Sequence, residues 1–388
     1  MVEVFISLAK ITVIVFLFVM GVASAMTLLG DRKQSAKIQN RVGPNQAKLF
    51  GFSLFGFPHF IADGIKMVLK ENIIPANSNK FLHTIAPALV FMPALIGWAV
   101  IPFMDHYCTG SVTTLVPGDG SGVQHYTEVC DGEWKNYFSI MHMNAGVLFA
   151  FAIAAISVYG AAIAGWASNS KFSLLGGLRS SAQMISYEVS MGLSLAGALM
   201  IYGTLNINEM VRMQGHLIGD WLPMWGIVVQ PVAFFLFLLA GLAETKRAPF
   251  DLPEGESEIV AGYITEYSSM KFAMMQLAEY AATVFIAALV TVVFLGGWQI
   301  PYVYADGIRI FGGHWTPFGE EVWYWISIVL RIGAITFKIL FLVWLQFMMR
   351  WTLPRFRYDQ VMTLGWKILL PLSIANLFVT GLILAIIW

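Results

Sequence analysis

Hydrophobic residues fall in long unbroken runs along this chain, and polar residues gather in clusters between them. A bilayer core about 30 Å thick needs roughly 20 apolar residues in a helix. Eight runs reach that length, at about 4–29, 80–103, 143–166, 180–202, 223–243, 272–296, 322–348 and 364–387. The first contains "ASA" at 23–25, but its apolar stretch is too long for a cleaved leader and Glu3 stands where a leader is basic. A shorter helix is expected at about 58–71. Pro58 suits its first turn, Phe57, Phe60, Ile61, Ile65 and Val68 line one side, and Asp63, Lys66 and Lys70 another. Such a segment lies along the membrane surface, either as a simple anchor or as the lip of an entrance for a lipid-soluble molecule. The pattern predicts an all-α integral membrane protein with eight transmembrane helices and one amphipathic interfacial helix. It forms a single membrane domain over 1–388, because no connecting segment exceeds about 50 residues, too short for a comfortable core.

Composition agrees. Hydrophobic residues make up 58% and charged residues 12%, with a mean hydropathy of +0.70, against roughly 25% charged in a soluble domain. The formal net charge of zero excludes a bulk basic surface for nucleic acid. Two cysteines and seven histidines show no metal-type spacing, so no metal is expected on this chain. Charge also orients the helices. The segments 30–79, 167–179, 244–271 and 349–362 hold fifteen Lys and Arg, whereas 104–142, 203–222 and 297–321 hold three. Cation-rich short loops stay inside, which places both termini outside. Cys108 and Cys130 then share one outside insertion, about 104–135, where an oxidising compartment allows them to pair. A loop of that size contributes on the order of 3 kcal/mol in the chain-entropy account; two unpaired thiols are the alternative.

Ionisable groups within spans are expensive and mark functional hypotheses. Glu188 and Glu279 each lie about a third of the way along a predicted helix, and Arg331 and Lys338, seven apart, share one face. The alternative role for these groups is mutual pairing that fixes helix packing. The densest charge lies in "AETKRAPFDLPEGESEIVAGYITEY" (243–267), where Glu244, Asp251, Glu254, Glu256, Glu258 and Glu266 accompany Lys246 and Arg247. Asp251 with Glu254 reads as a capping box opening a helix, along which Glu254, Glu258 and Glu266 recur at helical spacing. Solvated, they form an acidic surface helix. Enclosed by protein, their repulsion and desolvation raise some pKa values toward neutrality, and they titrate as a set, as a proton-coupled machine requires. "KRAPFD" adds cations and an aromatic that can border a small-molecule cavity.

That stretch, together with "RVGPN" (41–45), "GWASNSKFSLLGGLRSSAQMISYEV" and "LPRFRYDQVMTLGWKILLPLSI", resembles the membrane subunit at the joint of respiratory complex I, the family of the bacterial H-type subunit and mitochondrial subunit 1. The resemblance covers nearly the whole chain in order. It implies a tilted bundle of eight helices roofing a ubiquinone tunnel, in a bacterial plasma membrane or a mitochondrial inner membrane. It makes Arg41, Phe57, Arg247, Phe250, Phe272, Arg350 and Arg355 candidate tunnel residues. The family's acidic relay maps onto Asp63, Glu188, Glu244, Asp251, Glu254, Glu256, Glu258, Glu266 and Glu279. It implies no cofactor bound by this chain, ubiquinone as substrate, and flavin and iron-sulfur clusters in partner subunits. The partners are soluble quinone-site subunits and small antiporter-side membrane subunits. The chain is then a non-redox subunit of a proton-translocating NADH:quinone oxidoreductase, inactive alone. Lys246 replaces the usual Asn, "YITEY" the more frequent "YNVEY" type, and the insertions at 104–135 and 301–320 are long for the family. A related hydrogenase or other donor-fed complex uses a similar module. A stand-alone transporter is disfavoured by the lack of two matching halves.

Overall fold

The computed structural model describes residues 8–48, 51, 56–105, 107–109, 112–115, 123–124, 127–135, 138–218, 221–253, 255, 260–310, 313–316 and 319–387. Helix α1 (Leu8–Ile38) contains two π-helical stretches, Thr12–Val19 and Met26–Gln34. The amphipathic α2 (Pro58–Leu69) starts on its proline, which has no N–H to leave unsatisfied in a first turn. Helix α3 (Lys80–Val100) opens on Asn79, whose side chain accepts from the Leu82 amide at 3.3 Å. Then follow α4 (Gly146–Ala167), α5 (Lys171–Tyr202), the short α6 (Ile207–Gln214), α7 (Pro231–Glu244), α8 (Ser269–Phe294) and α9 (Glu320–Thr352). The last helix, α10, runs without a break through Tyr358–Thr363, a π-helical Leu364–Leu369 and Leu370–Ile387.

Seven of these helices are long and apolar enough to cross a membrane. The expected span at 223–243 is the exception: α7 has 14 residues, preceded by one helical turn, Gly226–Val229. Between them Gln230 leaves the helical region (φ −134°, ψ 60°) and Pro231 brings no N–H, which interrupts the ladder. Other spans exceed the hydrophobic runs. Helices α5 and α9 extend to 32 and 33 residues because polar but helix-compatible turns continue beyond the apolar stretch.

Helix α8 is the axis of the bundle. Its apolar window is 89% buried, against 17% for the peripheral α10, and it packs on α1, α3, α7 and α9. From Ala287 to Phe294 it buries only apolar side chains and Thr291, whose hydroxyl donates to the Ala287 carbonyl of its own helix at 2.8 Å.

The connections divide between two ends. One carries α2, the described parts of 245–268 and the cations of 30–48 and 350–357. The other, the cysteine end, carries four small antiparallel sheets among the described residues. There β1 (Tyr107–Cys108) pairs with β5 (Trp134–Lys135), β2 (Val112–Leu115) with β4 (Thr127–Cys130), and β3 (Val123–Gln124) with Leu217–Ile218. A disulfide joins Cys108 to Cys130, their Cα atoms 5.8 Å apart.

The helix expected from Asp251 through Glu266 is not continuous among the described residues. Val260 and Gly262 have φ of 69° and 54°, and Gly262–Ile264 winds as a 3-10 turn. Positive φ at these two positions breaks a right-handed helix. Gly262 has a second reason to lack a side chain. A Cβ on its neighbour Gly176 of α5 would stand 2.5 Å from the Gly262 Cα, so two glycines set this loop directly on the helix. Glu254, Glu256 and Glu258 lie outside the described residues.

Candidate functional site

The buried charges gather where α7 ends. Glu244 is its last residue, and the chain then turns through Thr245, Lys246 and Arg247, all three buried. Gln183 of α5 staples this turn, donating to the carbonyls of Ala243 at 2.7 Å and Phe250 at 2.8 Å. Lys246 adopts φ 55°, a region uncommon for a residue with a Cβ, and its ammonium stands 4.9 Å from the Tyr263 ring centre. The Tyr263 hydroxyl donates to Glu279 of α8 at 3.0 Å.

Glu244, Lys246 and Glu279 line one cavity of about 40 Å³, with Pro93 of α3 and Met184 of α5 among its apolar walls. That volume holds about two or three waters. One Glu244 oxygen, buried in this wall, has no hydrogen-bond partner among the described residues, and an unpaired buried carboxylate oxygen is costly. The charges act on one another across the cavity. Glu188 repels Glu244, Lys246 attracts both Glu244 and Glu279, and Arg247 and Asp251 act on Glu279 with opposite signs. Removing or adding one proton therefore changes the field at every other member.

Arg247 points to a second function. Its guanidinium lies 3.8 Å from the Tyr280 ring centre and 5.5 Å from that of Phe347. It is 7% exposed, and none of its three side-chain nitrogens has a hydrogen-bond partner among the described residues. Guanidinium nitrogens are obligate donors, so this aromatic-walled position suits a ligand that carries an acceptor. Beside it, Arg350 donates to Asp31 at 2.7 Å, and the Tyr280 hydroxyl donates to the same carboxylate. On the other flank Asp251 pairs with Arg355 at 3.0 Å, and Phe250 packs between Tyr187 and Phe356.

Comparison with known proteins matches this architecture along its length. The family model described as NADH dehydrogenase matches residues 9–381. The chain is 42% identical over 382 residues to an H-type NADH-quinone oxidoreductase subunit of Koribacter versatilis, covering 98% of each. It is 40% identical to an H-type NADH-quinone oxidoreductase subunit of Geobacter sulfurreducens, over 98% of this chain and 96% of that one. It is also 40% identical to NADH-ubiquinone oxidoreductase chain 1 of Chondrus crispus, over 97% of each. The chain belongs to this NADH dehydrogenase family.

Of the residues that the family resemblance singles out, the structure brings Glu188, Glu244, Asp251, Glu279 and Arg247 within electrostatic reach of one another. Phe250, Arg350 and Arg355 border the same region. Others stand apart. Asp63 of α2 pairs with Arg32 at 2.6 Å, Arg41 is exposed and donates to Gln39, and Phe57 is exposed beside Phe60. Phe272 packs on a satellite cluster with Ala161, Ala164 and Tyr263. Glu266 is half-buried, its carbonyl 3.4 Å from a ring nitrogen of His83.

Arg331 and Lys338 share a helix face without sharing partners. Arg331 forms a two-pronged ion pair with Glu128 of the cysteine-end insertion. Lys338 donates to the carbonyls of Leu295, Gly297 and Gln299 at 2.7, 2.9 and 2.7 Å. Sequence reasoning missed Asp31, Tyr263 and Tyr280. Tyr280 directly follows Glu279, and Asp31 is a single acid at the end of a span beside Arg32 and Lys33. Both were readable signals.

Proposed function

We propose that this chain is the quinone-channel and proton-coupling membrane subunit of an NADH:quinone oxidoreductase. The observation that carries the reading is the full-length family match placed on a buried acid–base set that borders an aromatic-walled guanidinium with no hydrogen-bond partner among the described residues. Soluble partners supply the flavin and iron-sulfur chemistry and the end of the channel where quinone is reduced. This chain supplies walls and charge, with its cation-rich end facing inside, in a bacterial plasma membrane or a mitochondrial inner membrane.

Quinone enters from the lipid beside α2. Arg247 offers donors to an oxygen of the headgroup, while Tyr280 and Phe347 give it apolar flanks. Reduction adds charge at the channel end, and Asp31, Arg350, Asp251 and Arg355 transmit the change as altered ion pairing. The set Glu188, Glu244, Lys246 and Glu279 responds by redistributing protons, because in a low-dielectric site each charge is felt strongly by the next. Antiporter-side membrane subunits receive the effect.

The test is proton stoichiometry. In inverted membrane vesicles from cells carrying Glu188→Gln and Glu279→Gln together, NADH-driven proton uptake per electron should fall well below the unsubstituted level, with the complex fully assembled. Normal pumping by such a complex would overturn the coupling role.

A further inference from the structure

At the cysteine end a second, larger cavity of about 400 Å³ lies between the membrane helices and the insertion. Its size falls in the range of small-ligand sites, roughly 300–1,000 Å³. Six of its lining residues carry the argument: Asp105, Glu128, Tyr202, Glu209, Arg212 and Trp298.

Two deep groups lack what their chemistry needs. The Tyr202 hydroxyl and the Trp298 indole nitrogen are buried and have no hydrogen-bond partner among the described residues, on side chains only 4% and 0% exposed. Both are donors, and the indole can be nothing else. The charged lining is otherwise paired. Asp105 takes two hydrogen bonds from Arg212 at 2.6 and 2.8 Å, and Glu128 is held by Arg331. Glu209 accepts from the Thr204 hydroxyl at 2.5 Å and forms no ion pair among the described residues. Among the described residues, three carboxylates (Asp105, Glu128 and Glu209) stand against the guanidiniums of Arg212 and, behind Glu128, Arg331, so with a neutral His216 in the same wall the acids are in excess by one.

These facts restrict the ligand. A simple anion meets a net negative wall, and a simple cation leaves two buried donors without acceptors. A zwitterion answers both. Position supplies the source: Tyr202 ends the spanning helix α5, and Trp221 and Trp325, exposed at 61% and 59%, stand at this end as tryptophans do at headgroup depth. We propose that this cavity seats the headgroup of a zwitterionic phospholipid, its phosphate on Tyr202 and Trp298 and its ammonium toward Glu209. The site is independent of the quinone reading, since it lies at the opposite end of the bundle.

The assembled complex, extracted in mild detergent and returned to vesicles, tests this with a phosphatidylethanolamine that carries a photoreactive diazirine beside its glycerol. Labelled peptides should come from 196–216 and from 298–304. Excess phosphatidylethanolamine should suppress that labelling at least tenfold better than phosphatidylglycerol, which lacks the ammonium. Tyr202→Phe and Glu209→Gln should each weaken labelling about tenfold, the effect of one lost charge-assisted hydrogen bond. Equal competition by phosphatidylglycerol, or labelling spread evenly over the lipid-facing helices, would overturn the proposal. Equal competition by soluble phosphoethanolamine would reassign the site to a free phosphate ester. The competition arm uses the unsubstituted complex, so it stands even where a variant fails to assemble.

Discussion

Replacing Glu128 by glutamine removes the negative charge from a pair whose other member cannot reach water. The Arg331 side chain is 2% exposed and that of Glu128 is 14%. The carboxylate receives both arms of the guanidinium and also the Ala305 amide at 3.1 Å. Glutamine keeps one acceptor and turns an N–H group toward a donor. Breaking a buried pair from one side costs about 3–5 kcal/mol, and the cavity beside Glu128 moderates the loss toward the lower figure. For a chain this long, about 3 kcal/mol corresponds to a fall in Tm of about 5 °C. The assay is thermal inactivation of the solubilised complex, with assembly checked before heating. Glu128→Gln combined with Arg331→Met removes both charges and should recover most of the loss, since apolar replacement of a buried pair is often neutral or stabilising. A Tm within about 1 °C of the parent in the single variant would refute the argument, being far below the shift expected from one broken pair. So would a double variant no more stable than the single one.

Reduction of the Cys108–Cys130 disulfide should lower the same Tm, by an amount consistent with about 3 kcal/mol for a closed loop of this size. The loss should be smaller in the Glu128→Gln background, because Glu128 stands two residues from Cys130 on β4 and the two effects share one element. Gly176→Ala should leave α5 helical yet lower NADH:quinone activity severalfold, since its Cβ must push Gly262 away by displacing backbone; steady-state rates in assembled membranes read this directly. Arg247→Met keeps the bulk between Tyr280 and Phe347 but removes the donors. It should raise the quinone KM about tenfold or more, and an unchanged KM would separate Arg247 from the channel.

Most of the helices were legible because burial in lipid demands unbroken apolar length, and seven such runs became spanning helices. The shorter α7 was less legible: hydropathy reports apolar length, whereas the break at Gln230 and Pro231 comes from backbone geometry and a missing N–H. Glu188, Glu244 and Glu279 could be singled out because a carboxylate near a span is rare. The helical reading from Asp251 does not carry through to Glu266, because the positive φ of Val260 and Gly262 interrupts it and leaves no trace in composition. The Glu128–Arg331 pair spans 203 positions, and its acid sits in an insertion that looked peripheral. A lone acid in a polar loop carries no signal of the partner it will meet.

The apolar stretch of α8 from Ala287 to Phe294 has a consequence for the resting membrane. It covers about 12 Å of helix rise between the acid–base cavity at one end and the larger cavity at the other. Thr291 spends its hydroxyl on its own backbone, so this segment offers a proton no stepping stone. An elementary charge crossing an energised bilayer gains about 2.3 kcal/mol per 100 mV, and an uninterrupted polar column through this chain would dissipate that gradient as heat. If the acids near α7 move protons as proposed, this apolar stretch is the insulator that lets them exchange charge with their neighbours without a leak along the axis of the bundle.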